Sequence, residues 1–133
     1  MLILCSVRNL QEANLKLFIA RIKPKNLSKE WLHVPLLAPS SRLFYDYLTW
    51  RHKGLWPKTW PEYEKRFNAE MSRMTIALTR VEEKYLQKEK SVAMACYCND
   101  FKYCHRSIIG KYFSKLAGNP LHFSGEMKGD YMW

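Results

Sequence analysis

Apolar residues fall in short, dense runs near the start of the chain and at wider, regular intervals through its middle. Leu2 to Val7 is a compact apolar run with β-branched members, and Leu15 to Ile22 is a second with partial alternation. Both predict strands. The polar stretch Arg8 to Asn14 between them reads as a hairpin-like link in preference to a single helical turn. Pro24 and Asn26 end the second run, because proline cannot donate to a ladder and asparagine suits a turn. Ser28 is then placed to cap a short helix through Trp31.

Helical spacing takes over beyond Pro39. Ser40 or Ser41 can cap a helix whose Leu43, Phe44, Tyr47 and Leu48 share one face. From Pro61 the residues Tyr63, Phe67, Met71, Met74, Leu78, Val81 and Tyr85 recur every three or four positions or a multiple of that spacing. This predicts one helix of about 25 residues and about 38 Å, with Pro61 in its first turn and Thr59 as its cap. Ser91 to Cys98 is apolar throughout and bounded by charge, the pattern of a central strand. Ser107 to Leu116 is again helical in spacing and ends at Gly118-Asn119-Pro120. An edge strand around Leu121 to Phe123 is expected, and residues 119–133 read as a C-terminal extension. Alternating strands and helices make this an α/β protein, a single small domain with a mainly parallel sheet of about three to four strands flanked by helices.

At 133 residues the chain has room for one core, and 47% hydrophobic residues exclude a disordered or fibrous chain. No run reaches the roughly 18 to 20 apolar residues of a membrane span, and Met1 to Val7 is too short for a signal peptide, so a cytoplasmic protein without membrane contact is expected. Four cysteines in such a chain are reduced thiols, ligands or core residues rather than a disulfide framework. Charge changes the picture most. Twenty-two Lys and Arg against 12 Asp and Glu leave a net charge of +10. A field of that sign favours nucleotides, nucleic acid or an acidic protein partner.

Chemistry concentrates in the loop Cys98-Asn99-Asp100-Phe101-Lys102-Tyr103-Cys104-His105-Arg106-Ser107, which leaves a strand end and enters a helix N-terminus. Ligands of open α/β sheets bind outside such carboxyl ends. One reading is an anion cradle in which Arg106, Ser107 and free amides hold a phosphate, with His105 helping. A second is a thiolate enzyme, with Cys104 as nucleophile or redox thiol and His105 or Asp100 moving the proton. A metal is the weakest reading, because Cys96-x-Cys98 is a poor knuckle and adjacent Cys104 and His105 rarely aim at one ion. No metal and no cofactor is therefore expected. A phosphatase loop also fails, since seven residues separate Cys98 from Arg106. The blander assignments are that Cys96 and Cys98 fill the core, and that Arg106 pairs with Asp100 at the surface.

Ala95-Cys96-Tyr97-Cys98-Asn99-Asp100 through Cys104-His105-Arg106-Ser107 resembles the closing motif of the domain-of-unknown-function family 488, which includes the YeaO-like proteins. Arg21 to Glu30, Leu37 to Ser41 and Trp60 to Met71 resemble its earlier blocks in the same order. The resemblance spans roughly residues 1 to 118. It implies an α/β fold in which the two arginine-bearing strand ends lie near one another. It implies no settled activity. Here Ala20, Lys23, Lys25 and Asn26 stand where the family pattern has Asp, Trp, Arg and Gly, so positive charge persists at Arg21 and Lys25 without the carboxylate. The combined expectation is a basic protein binding a phosphate-bearing small molecule or nucleic acid through Arg21, Lys25, Cys98, Asn99, Asp100, Arg106 and Ser107. The alternatives are a Cys104 enzyme assisted by His105, and a module for an acidic protein.

Overall fold

A computed structural model describes residues 2–98 and 100–116 of the chain. Four strands, β1 (Leu2–Ser6), β2 (Leu15–Phe18), β3 (Trp31–His33) and β4 (Val92–Cys96), form one all-parallel sheet in the order β1-β4-β2-β3. The four helices are α1 (Ser41–His52), α2 (Trp60–Ser72), α3 (Thr75–Val81) and α4 (His105–Leu116). The α/β class and the number of strands agree with the sequence pattern. The expected strand near Leu121 and the helix stop at Gly118 lie outside the described residues.

β4 is central because every one of its residues is apolar and buried, as a strand covered on both faces requires. It pairs with β1 from Leu2↔Val92 to Ser6↔Cys96 and with β2 from Leu15↔Val92 to Phe18↔Ala95. That insertion overturns the hairpin expected of β1 and β2. Residues 7–14 do form a non-helical link, but they join parallel strands with β4 between them. β2 is also shorter than its apolar run. After Phe18 only the Ile19 amide still reaches Ala95, and the chain then leaves the sheet carrying Arg21.

The helix expected at Ser28 is absent, and Trp31 opens β3 instead. The Ser28 hydroxyl accepts from the Glu30 amide at 3.3 Å, closing a local turn rather than capping a helix. Trp31, a strong strand former, pairs with Lys16 in β2. Lys16 is buried, and its ammonium group is held by Glu30 at 2.9 Å and Glu12 at 3.0 Å.

α1 begins where the sequence places it, with Ser40 Oγ accepting from the Leu43 amide at 3.2 Å. The predicted 25-residue helix is broken. Tight bonds from the Arg73 and Met74 amides to Glu70 and Met71 close α2, and α3 restarts at Thr75 before a π-helical turn over Glu82–Leu86. A straight 38 Å helix would overrun strands only about 17 Å long. Breaking it keeps Tyr63, Phe67, Met71, Leu78 and Val81 all in the core, so the apolar stripe is a core stripe. Thr59 occupies the cap position of α2 but its hydroxyl donates to the Leu55 carbonyl instead.

Trp50, Trp56 and Trp60 pack on the core's edge and on one another. Tyr63 and Phe67 continue that ring contact to His105. The aromatic middle of the sequence is thereby the wall that carries α1 and α2 to the β4 end. No helix among the described residues is long and apolar enough to cross a membrane.

Candidate functional site

Because β2 and β4 are adjacent and parallel, Arg21 and the loop after Cys96 leave the same edge of the sheet. Asp100 accepts from the Lys102 amide at 3.0 Å and so starts a 3-10 turn over Phe101–Tyr103. Cys104 follows in extended conformation, and α4 begins at the next residue. Ser107 ties this junction down, donating its amide and its hydroxyl to the Cys104 carbonyl at 3.0 and 2.8 Å. The Cys104 thiol therefore sits at the positive end of a twelve-residue helix.

Cys96, Arg106 and His105 are among the groups around that sulfur. Cys96 Sγ lies 3.1 Å away, Arg106 donates Nε–H to it at 3.3 Å, and His105 Nδ1 stands at 3.8 Å. His105 Nε2 is 2.8 Å from the Ile19 carbonyl, which can only accept, so Nε2 carries a proton and Nδ1 is left to exchange one with Cys104. Burial pushes the Cys104 thiol up, but donated thiol hydrogen bonds from Cys96 and Cys98 and the charge of His105 outweigh it and hold the group well below the usual thiol range. The cost falls on the donors. Burial and the bond to Cys104 raise Cys96 far above that range, and the bond to Cys104 pushes Cys98 up to about 12. Cys104 is thereby the thiol of the cluster most disposed to ionise.

Cys104 opens onto a cavity of about 190 Å³. Arg21, Arg51 and His105 line it together with Cys96, Cys98 and Cys104, and Phe44, Tyr47, Tyr63, Tyr97 and Tyr103 supply aromatic wall. Of the residues predicted from sequence, Arg21, Cys98, Cys104 and His105 meet there. Lys25, Asp100, Arg106 and Ser107 do not line it, and Asn99 lies outside the described residues. Arg106 is the sharpest difference. It is wholly buried and so no surface partner for Asp100, and its Nη2 donates to the Cys98 carbonyl at 2.8 Å. Cys96 is both the core residue expected of it and a member of the site.

Arg51, and Tyr63 of the helical stripe, join the cavity without having been candidates for it from the sequence. Arg51 Nη1 donates to Tyr47 Oη at 3.1 Å, and Tyr47 Oη lies 3.9 Å from Cys98 Sγ. The Tyr47 and Arg51 spacing of one helical turn was the available signal. Burial keeps both Tyr47 and Tyr63 protonated far above the ordinary phenol range.

Cys96, Cys104 and His105 are also the residues that could hold a metal, with donor atoms all within 4.8 Å of one another. Their surroundings fit it poorly. A buried guanidinium already donates to the Cys104 sulfur, and its permanent charge opposes a divalent cation beside it.

Comparison with curated proteins and with solved structures finds no match. A family model described as the Active DUF488-N3 subclade matches residues 3–116, from β1 to the last turn of α4. Helix, loop and thiol cluster thus all fall within the matched region, and the chain belongs to the DUF488 family, in its N3 subclade.

Proposed function

We propose that the protein is a thiolate-dependent enzyme acting on a small phosphate-bearing molecule in the strand-end cavity, with Cys104 as nucleophile. The observation that carries this reading is the placement of Cys104, which lines the cavity while its sulfur accepts a hydrogen bond from Arg106 and lies 3.1 Å from Cys96 Sγ. A thiolate held this way is nucleophilic at neutral pH, whereas an ordinary thiol is almost wholly protonated there. His105 takes the thiol proton on Nδ1 and returns it to a leaving group, while the Ile19 carbonyl fixes the ring.

Arg21 and Arg51 support the phosphate in this reading. Both line the cavity, and neither forms an ion pair among the described residues, so their remaining N–H groups can meet an anion. The same pair also supports a second reading, non-covalent binding of a phosphate-bearing ligand, in which Cys104 shapes the pocket without reacting. The aromatic wall suits a flat, base-like portion of such a molecule.

Iodoacetamide labelling at mildly acidic pH tests the nucleophile. Cys98 is the more exposed thiol and Cys104 the more ionised one. The expected result is Cys104 labelled first, at least about tenfold faster. Labelling of Cys98 first, or reaction of Cys104 only above the ordinary thiol range, overturns the enzyme reading and leaves the binding one.

A further inference from the structure

Cys96 is more than a hydrogen-bond donor to the nucleophile. Its sulfur lies 3.1 Å from Cys104 Sγ, both residues line one cavity, and both are free thiols. A disulfide bond of about 2.05 Å therefore needs only about 1 Å of approach, available to side-chain rotation from a strand end and a loop. We propose that Cys104 and Cys96 form a two-electron redox pair that reduces hydroperoxides, Cys104 attacking the peroxide and Cys96 resolving the product. This inference rests on Cys104 being the thiolate nucleophile.

The first step breaks the O–O bond. The Cys104 thiolate takes the terminal oxygen of a hydroperoxide, ROOH, and becomes a sulfenic acid, while the departing alkoxide takes a proton from His105 or solvent and leaves as ROH. Arg106 stands beside the sulfur at 3.3 Å, where its charge favours the developing negative charge. In the second step the Cys96 sulfur attacks the Cys104 sulfenic sulfur, forming the disulfide and releasing water that carries off the Cys96 proton. Two electrons pass from the thiols to the peroxide. An external dithiol then exchanges with the disulfide and is itself oxidised, restoring both thiols.

Three features favour this pair over incidental proximity. Cys104 has the thiolate character that peroxide attack requires. The contact between the two sulfurs at 3.1 Å already places Cys96 where a resolving thiol must stand. Both residues line a cavity of about 190 Å³, a size that suits hydrogen peroxide and small organic hydroperoxides better than bulky oxidants.

Reduced full-length protein is treated with one equivalent of hydrogen peroxide at neutral pH, its remaining thiols are blocked, and intact mass and peptides are read. The expected result is loss of two hydrogens from the chain, with Cys96 and Cys104 in one linked peptide. In both Cys96→Ser and Cys96→Ala, Cys104 should instead persist as a sulfenic acid captured by dimedone, and Cys104→Ser should consume no peroxide above buffer. Linkage of Cys104 to Cys98, or no linkage in protein whose Cys104 still alkylates rapidly, overturns the redox pair while sparing the nucleophile. Slow alkylation of Cys104 removes both.

Discussion

The guanidinium of Arg106 and the sulfur of Cys104 are 3.3 Å apart, two positions from one another in sequence, and both are buried. Neither would tolerate that position alone. An isolated buried charge costs several kcal/mol, and a buried thiol in apolar surroundings stays protonated. Together the positive fork and the thiolate cancel, and the second arm of the fork satisfies the Cys98 carbonyl at 2.8 Å. The loop is thereby closed on itself from Cys98 to Arg106, and its geometry and its ionisation become one property.

Arg106 is therefore expected to act on stability and reactivity together. Arg106→Ala leaves a buried thiolate and a buried carbonyl without their donor, at a cost of about 3–5 kcal/mol. Arg106→Lys keeps the charge but loses the fork, and should fall between wild type and Arg106→Ala. Urea unfolding beside the pH profile of Cys104 alkylation reads both effects. Each variant should shift the alkylation midpoint upward; an unshifted midpoint would mean that the thiolate does not depend on Arg106.

The candidate loop is legible in the sequence because its chemistry is local. A strand end, a helix start and a Cys-His-Arg triplet lie within ten residues, and a parallel sheet puts that loop at its carboxyl edge. What the sequence could not show is direction. Arg106 was expected to reach outward because arginine is rarely buried, and only the three-dimensional pairing with Cys104 makes its burial tolerable. The site roles of Arg51 and Tyr63 are not legible for a similar reason, since they come from α1 and α2 and meet the loop only after folding. β3 leaves no signal in the sequence because a three-residue strand at Trp31 carries too few positions for a period to appear.

The start of α1 depends on a distant residue. Ser40 donates both its amide and its hydroxyl to the Glu70 carboxylate in α2, in addition to capping its own helix. A glutamate three residues into the same helix would ordinarily supply that bond, and here Arg42 and Leu43 precede Phe44 instead. Glu70→Ala should lower stability by about 1–3 kcal/mol through the unpaired Ser40 groups. Thermal unfolding of Glu70→Ala, Ser40→Ala and the double variant checks it: the double variant should lose clearly less than the two single losses combined.

A phosphate-bearing molecule held by Arg21 and Arg51 should show it in two ways. Inorganic pyrophosphate and a panel of nucleotides, screened by thermal shift, should include a stabilising ligand whose effect declines as salt rises. Arg21→Ala and Arg51→Ala should each weaken that ligand by about 1.5–3 kcal/mol, roughly ten- to a hundredfold in Kd. Lys25→Ala, away from the cavity, should leave it unchanged. Equal weakening by all three substitutions would instead mark a diffuse attraction to the net charge of +10.

Alkaline stability separates the donors from the acceptor in the thiol cluster. Cys98 is raised from the ordinary 9.0 to about 12, first by its hydrogen bond to Cys104 and then by burial. Between those values the unfolded chain has lost the Cys98 proton while the folded chain keeps it. A raised group contributes stability that is complete below its unfolded value and disappears as pH rises through its folded one. Cys104 behaves oppositely: its lowered value contributes stability above the ordinary thiol range and loses it only on acidification, so across the alkaline window its share stays constant. Wild type should therefore lose stability from about pH 9 upward. Cys98→Ser should lose less, because serine keeps a donor for Cys104 but does not titrate, and Cys96 retains the remaining slope. Urea unfolding of both proteins at pH 8 and pH 11 measures the difference, and a gap between them that does not change with pH would show that Cys98 is not the proton the folded state protects.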